Sequence, residues 1–168
     1  MEAGPSFKCS LQGSKQKFYA ASNSIFAKLG VDSNLFNVVL SLVDSCSVST
    51  LLYGLEALGI KKAGFDTIDF VYDSIFAKIF NIREKCNIRQ CQYATGFLPV
   101  SLRLDIRILN FYEGLKFNKS GSMAANLFCL LDDRVYHDTL LKYNISDSVL
   151  RSHNFKHYKG WKYFSDSL

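Results

Sequence analysis

Two aspartates, Asp132 and Asp133, stand side by side after Cys129-Leu-Leu131 and before Arg134. Adjacent carboxylates flanked by apolar residues are one way a template-dependent polymerase holds two magnesium ions, because hard cations favour oxygen ligands. That arrangement needs a β-hairpin to present the pair, whereas the residues around Asp132 carry helical spacing. The pair is therefore expected to be an acidic helix end. His153 and His157 are four apart, a spacing that could hold a metal from one helix face, but the intervening Asn154-Phe-Lys156 does not follow the zinc-protease pattern. His137 has no nucleophile placed beside it in a recognised pattern. There is no glycine-rich phosphate loop ending in Lys-Ser/Thr and no G-x-S-x-G elbow. No catalytic residue, metal ligand or cofactor is assigned.

The chemistry the sequence does favour is binding. Lys61 and Lys62 occupy a tight turn, and Arg83, Lys85 and Arg89 cluster around a helix start. From residue 151 onward, Lys156, Lys159 and Lys162 alternate with Phe155, Tyr158, Trp161, Tyr163 and Phe164. Four cations (Arg151 and these lysines) minus Asp166 leave that tail at +3. Cations seek phosphates, and aromatic faces stack on unpaired bases at roughly 1–3 kcal/mol each. Lys61, Lys62, Arg83, Lys85, Arg89, Lys156, Lys159, Trp161 and Lys162 are accordingly the candidate nucleic-acid contacts. The alternative for the tail is a solvated end whose aromatics cap the core.

Composition sets the frame for these groups. At 168 residues with 48% hydrophobic and 14% aromatic content, the chain can bury a core and is no disordered tail. A net charge of +5 permits an acidic partner without requiring one. The five cysteines (Cys9, Cys46, Cys86, Cys91 and Cys129) are odd in number and scattered, which argues against a disulfide framework and for reduced, mostly buried thiols. The first residues lack the basic start and apolar stretch of a secretory signal, and the apolar run Val38–Val43 stops at Asp44. An intracellular protein, nuclear or cytoplasmic, without a membrane contact is expected.

Helical periodicity runs through most of the chain. Phe18, Ala21, Ile25 and Leu29 recur at helical spacing from Ser14 to a stop at Gly30, where glycine suits a left-handed end. Asp32 or Ser33 can cap a second helix whose face is Leu35, Phe36, Val39, Leu42 and Val43, and a third is expected from about Val48 to Leu58. Asp66 as N-cap, with Asp69 three residues later, opens a fourth whose face is Ile68, Val71, Tyr72, Ile75, Phe76, Ile79 and Phe80. A short helix over Glu84–Thr95 ends at Gly96. Ser101 caps a long one carrying Leu104, Ile108, Leu109, Phe111, Tyr112 and Leu115, and further pieces fit Met123–Leu131 and Val135–Tyr143. The reading is an all-α bundle-like domain of about seven helices over residues 14–150, with a loose leader over 1–13 and a basic aromatic tail over 151–168. Ser24-Ile-Phe-Ala-Lys28 recurs as Ser74-Ile-Phe-Ala-Lys78, but the flanking residues do not match, so two similar amphipathic helices are expected rather than a repeat.

Five segments then fall in a telling order. Lys17-Phe-Tyr-Ala-Ala-Ser-Asn23-Ser-Ile25 is followed by Leu51-Leu-Tyr-Gly-Leu-Glu-Ala-Leu58 and by Phe76-Ala-Lys-Ile-Phe80. Gln90-Cys-Gln-Tyr-Ala-Thr-Gly-Phe-Leu-Pro99 and Arg103-Leu-Asp-Ile-Arg-Ile-Leu-Asn-Phe111 complete the series. Together they resemble the region just after the catalytic palm of non-LTR (LINE-like) retrotransposon reverse transcriptases, the helical thumb and its C-terminal continuation. The resemblance implies helices that grip the primer–template backbone of an RNA–DNA or DNA duplex without sequence preference. It also places the polymerase's catalytic aspartates upstream of these residues, so the chain would make no DNA by itself and could partner a polymerase core. The leader over 1–13 does not match the family's palm-to-thumb junction, as in a fragment or remnant of such an element. A helical protein-interaction module with no nucleic-acid role is the alternative.

Overall fold

Residues 10–30, 35–57, 60, 62–116, 134–144 and 161–166 are described by the structure, a computed structural model. Among them every regular element is helical, so the chain is all-α. The α-helices are α1 (Gln12–Leu29), α2 (Phe36–Leu42), α3 (Ser49–Leu52), α4 (Lys62–Phe80), α5 (Lys85–Thr95), α6 (Val100–Lys116) and α7 (Arg134–Lys142). A last helical turn covers 161–165. The chain divides into two compact units, Met1–Ser101 and Leu102–Leu168. The expected cap at Asp32 or Ser33, the helix over Met123–Leu131 and the Asp132–Asp133 pair lie outside the described residues, as do His153 and His157.

The helices expected to be separate around residue 45 are one run. A π-helical segment, Val43–Val48, joins α2 to α3, and a 3₁₀ turn follows at Leu55–Ala57. Its cause is local. Ser45 Oγ donates to the Ser41 and Leu42 carbonyls (2.9 and 3.3 Å), Ser49 Oγ to Ser45 (2.9 Å) and Thr50 Oγ1 to Cys46 (3.1 Å). Hydroxyls bonded back onto the preceding turn compete with the regular ladder and deform it without ending it. Asp44 therefore does not stop the helix, and the apolar stretch Phe36–Ala57 covers 22 residues, helical except for the turn at Tyr53 and Gly54. That stretch is long and apolar enough to cross a membrane, contrary to expectation, although the same length and composition suit a core helix. Val39, Leu40, Val43, Val48, Leu51 and Leu52 are buried along it, and their packing accounts for the apolarity.

α1 lies antiparallel to this run and parallel to α4. Ser14 and Lys17 of α1 share a groove with Ser49, Thr50 and Tyr53. At the start of α4, Leu11 Cδ1 stands 3.6 Å from where a Gly64 Cβ would be. Fourteen residues further along α4, Lys78 Nζ lies 3.5 Å from Asn23 Oδ1 and 4.2 Å over the Phe26 ring. The two Ser-Ile-Phe-Ala-Lys segments thus run side by side in the same direction, with Phe26 and Phe76 both buried. The core of this unit is Phe18, Val39, Leu51, Ile68, Tyr72 and Phe76, with edge-to-face contact between Tyr72 and Phe76.

Helix ends follow familiar chemistry with three departures. Gly96 is left-handed (φ 78, ψ 19) and Phe97 N–H returns to the Gln92 carbonyl at 2.9 Å, the expected stop for α5. Gly30 does have positive φ, but with ψ −169 it occupies the extended region open to glycine alone. α4 ends the same way as α5 without a glycine: Asn81 takes φ 52 and Ile82 N–H reaches the Ala77 carbonyl at 3.2 Å. The third departure is at the other end of α4, which starts at Lys62, so Asp66 lies inside the helix and exposed rather than capping it.

In the second unit, Leu104, Ile108, Leu109 and Tyr112 of α6 are buried as expected, with Tyr136 and Leu140 of α7, whereas Phe111 and Leu115, expected on the same face, are half-buried. Tyr112 and Tyr136 stack at 5.4 Å. Of the described cysteines, Cys46 and Cys86 are exposed and Cys91 is half-buried, against the expectation of mostly buried thiols; Cys9 and Cys129 lie outside the described residues.

Candidate nucleic-acid interface

Arg89 is the best-defined cation in the first unit, and it faces inward. Asp69 and Asp73, one turn apart on α4, are both buried. Arg89 Nη2 of α5 lies 3.0 Å from Asp69 Oδ2 and 3.8 Å from Asp73 Oδ2. Asp69 Oδ1 also accepts the Ser101 backbone N–H at 2.9 Å. Gln92, wholly buried, donates Nε2 to Asp73 Oδ1 at 2.8 Å, and its Oε1 accepts from Arg89 Nη1 at 3.3 Å. One guanidinium thus serves two carboxylates, and Asp69 holds the better share. Burial pushes the Asp73 carboxyl above its ordinary value against the pull of Arg89, with Asp69 adding to the rise and Gln92 and Lys85 opposing it.

This network also explains how α6 starts. The first N–H groups of a helix have no partner within it and need an outside acceptor. Ser101 was expected to cap with its own side chain, but α6 begins at Val100 and the Asp69 carboxylate accepts the Ser101 N–H instead. A carboxylate there also opposes the positive helix end.

The remaining candidate cations divide by position. Lys62 is exposed at the first residue of α4; Arg83 and Lys85 are exposed in the turn before α5 and at its first residue. α4 spans about 27 Å between its first and last residues, so Lys62 and the Arg83–Lys85 pair mark opposite ends of that helix. In the tail, Lys162 is exposed and Trp161 half-buried, with its ring 6.0 Å from Phe164, which is buried. Lys61, Lys156 and Lys159 lie outside the described residues.

The second unit has its own buried carboxylate. Asp105 of α6 accepts from Lys142 Nζ at 2.6 Å and from the Tyr143 hydroxyl at 2.8 Å. Lys142 Nζ also stands 5.2 Å over the rings of Tyr143 and Tyr163, and those rings meet edge to face. Tyr163 and Phe164 are therefore packing residues of this unit, the role weighed in the sequence as the alternative for the tail.

One feature common to the described α-helices was not singled out in the sequence. None of α1 to α7 has an acidic residue in its first turn. Lys15, Lys62, Lys85, Arg103 and Arg134 fall in the first turns of α1, α4, α5, α6 and α7 instead. A cation at the positive end of a helix is unfavourable by a few tenths of a kcal/mol to about 1. The helix bounds reveal this; the sequence spacing alone gave no cue to it.

Among the described residues no three His, Cys, Asp or Glu side chains cluster as metal ligands. No protein-family model matches the chain, and neither a curated protein nor a solved structure does.

Proposed function

We propose that the chain is a helical grip for a nucleic-acid backbone, the counterpart of the segment after the palm in a non-LTR reverse transcriptase, and that it carries no catalytic group of its own. The observation that carries the reading is the charge at the helix starts: Lys15, Lys62, Lys85, Arg103 and Arg134 stand in first turns that hold no acidic residue, although Glu84 stands at the cap of α5 and Asp69 reaches the start of α6. A polyanion running along α4 would meet Lys62 at one end and Arg83 and Lys85 about 27 Å away at the other, with the first N–H groups of α4 and α5. The all-α architecture and the order of the five segments agree with this reading. Arg89 is left out of the grip, because its guanidinium already serves Asp69 and Asp73.

The test is titration of a labelled RNA–DNA hybrid by anisotropy at rising salt. Each phosphate contact contributes about 0.9 to the slope of log affinity against log salt. Replacing Lys62, Arg83 and Lys85 together by glutamine is expected to lower that slope by about 2–3. Affinity indifferent to salt, or a slope unchanged in the triple variant, would end the reading.

A second reading has its own observation. Leu35, just before α2, and Val38 and Leu42 on it recur at helical spacing and are 39, 49 and 37% exposed, although Leu35 and Leu42 were expected on the helix's apolar face, and Phe70 on α4 is 72% exposed. An apolar stripe of this kind suits a protein partner. Leu42→Glu with Val38→Glu would abolish such an association while leaving hybrid binding intact.

A further inference from the structure

The groove between the start of α1 and the end of α3 is lined by Ser14, Lys17, Ser49, Thr50 and Tyr53, with a volume of about 400 Å³. We infer that it is a site for one unpaired nucleotide of a single strand, with the phosphate on Lys17 and the base stacked on Tyr53. This deepens the grip reading, and rests on it, by naming the strand and the residues that take it.

The chemistry of the two walls differs in the way a nucleotide requires. On the α1 wall, the exposed Lys17 ammonium and the Ser14 hydroxyl are hydrogen-bond donors suited to phosphate oxygens. On the α3 wall, the hydroxyl protons are already committed: Ser49 Oγ donates to the Ser45 carbonyl and Thr50 Oγ1 to the Cys46 carbonyl. Their oxygens therefore face a ligand as acceptors only, which suits the N–H groups of a base or a sugar hydroxyl. Tyr53 stands at the end of the groove, 83% exposed, the most exposed large apolar side chain among the described residues. It follows α3 directly, and its ψ of 119 turns the chain after it out of the helix, so α3 does not continue past the ring.

The size agrees with the assignment, since 400 Å³ lies within the range of small-ligand clefts and accepts a nucleotide but not a duplex. Charge agrees as well. The contact of Leu11 with Gly64 brings the start of α4, with Lys62, to the same end of the unit as the start of α1, with Lys15. Neither first turn holds a carboxylate; Asp66 follows on α4 one turn later. A strand leaving the groove toward α4 would thus meet a further cation.

The test uses the full chain and two probes, a fluorescein-labelled thymidylate decamer and the RNA–DNA hybrid. Tyr53→Ala is expected to weaken the decamer about tenfold, Tyr53→Trp to hold or tighten it, and Lys17→Gln to lower its salt slope by about 0.7. Thermal melts of all three variants should match the parent, since both side chains are exposed. If the hybrid binds and none of these changes moves the decamer, the nucleotide site is overturned and the grip survives. If the decamer shows the expected losses while the hybrid fails to bind, the groove stands and the duplex grip falls. Weakening by Lys17→Gln with Tyr53→Ala and Tyr53→Trp both inert would reduce the groove to an ionic contact and overturn the stacking assignment. Should neither probe bind, both readings are overturned.

Discussion

Asp69 with Asp73 in the first unit and Asp105 in the second meet the same difficulty, a carboxylate removed from water, with different partners. The first pair shares a single arginine and completes its bonding with an amide side chain and a backbone N–H. Asp105 has a cation to itself, a lysine that is 36% exposed, and a tyrosine hydroxyl. The consequence is a difference in vulnerability. A buried network with too few positive charges depends on every member, whereas a carboxylate beside a half-exposed lysine can borrow water when that lysine is lost. The same contrast separates the cations: Arg89 and Lys142 hold helices, whereas Lys62, Arg83 and Lys85 are exposed.

The sharpest way to break this comparison is Arg89→Met. It strands two buried carboxylates at once and should cost about 3–5 kcal/mol, read by urea unfolding. A loss under 1 kcal/mol would mean the network is not a unit. Next comes Tyr143→Phe, which removes a hydroxyl bonded to a buried charge and should cost about 1.5–3 kcal/mol. Lys142→Met should cost only about 1 kcal/mol and less at high salt, because an exposed ammonium is screened. If Lys142→Met proves as damaging as Arg89→Met, the two regions do not differ as described.

What the sequence made legible, and what it did not, follows from the range of each interaction. Helical class and the ends at Gly30 and Gly96 depend on residues within one or two turns of one another, so periodicity and glycine position expose them. The union of α2 with α3 depends on serine and threonine hydroxyls bonding back along the helix, and a pattern of apolar residues does not register that. Asp69 was assigned a local role near a helix start, yet its partners are 20 and 32 residues away, Arg89 and Ser101. The available cue was two carboxylates one turn apart, bordering the apolar face of Ile68, Val71, Tyr72 and Ile75. Charges at that border need an answering cation from another helix, and spacing alone does not say which. Lys17 and Tyr53 entered the sequence reading only as members of longer segments, because nothing local to either one shows that α1 and α3 pack antiparallel.

The smallest expected effect is the most specific, and it concerns Asp73. Its carboxyl is held above the ordinary value because burial outweighs the help of an arginine 3.8 Å away that Asp69 holds more closely. The folded chain therefore binds a proton at Asp73 more tightly than the unfolded chain does. Protonation raises stability wherever the folded state carries more protons, so this group favours folding increasingly as pH falls from its raised value toward about 3.9. Asp73→Asn retains an oxygen for Gln92 and removes the titration. Relative to this variant, the parent should gain stability as pH is lowered from about 7 to about 4, checked by urea midpoints at several pH values. A stability difference that is flat, or that moves against the parent on acidification, would show that Arg89 serves Asp73 as fully as Asp69, and the shared-arginine account of the first unit would fail.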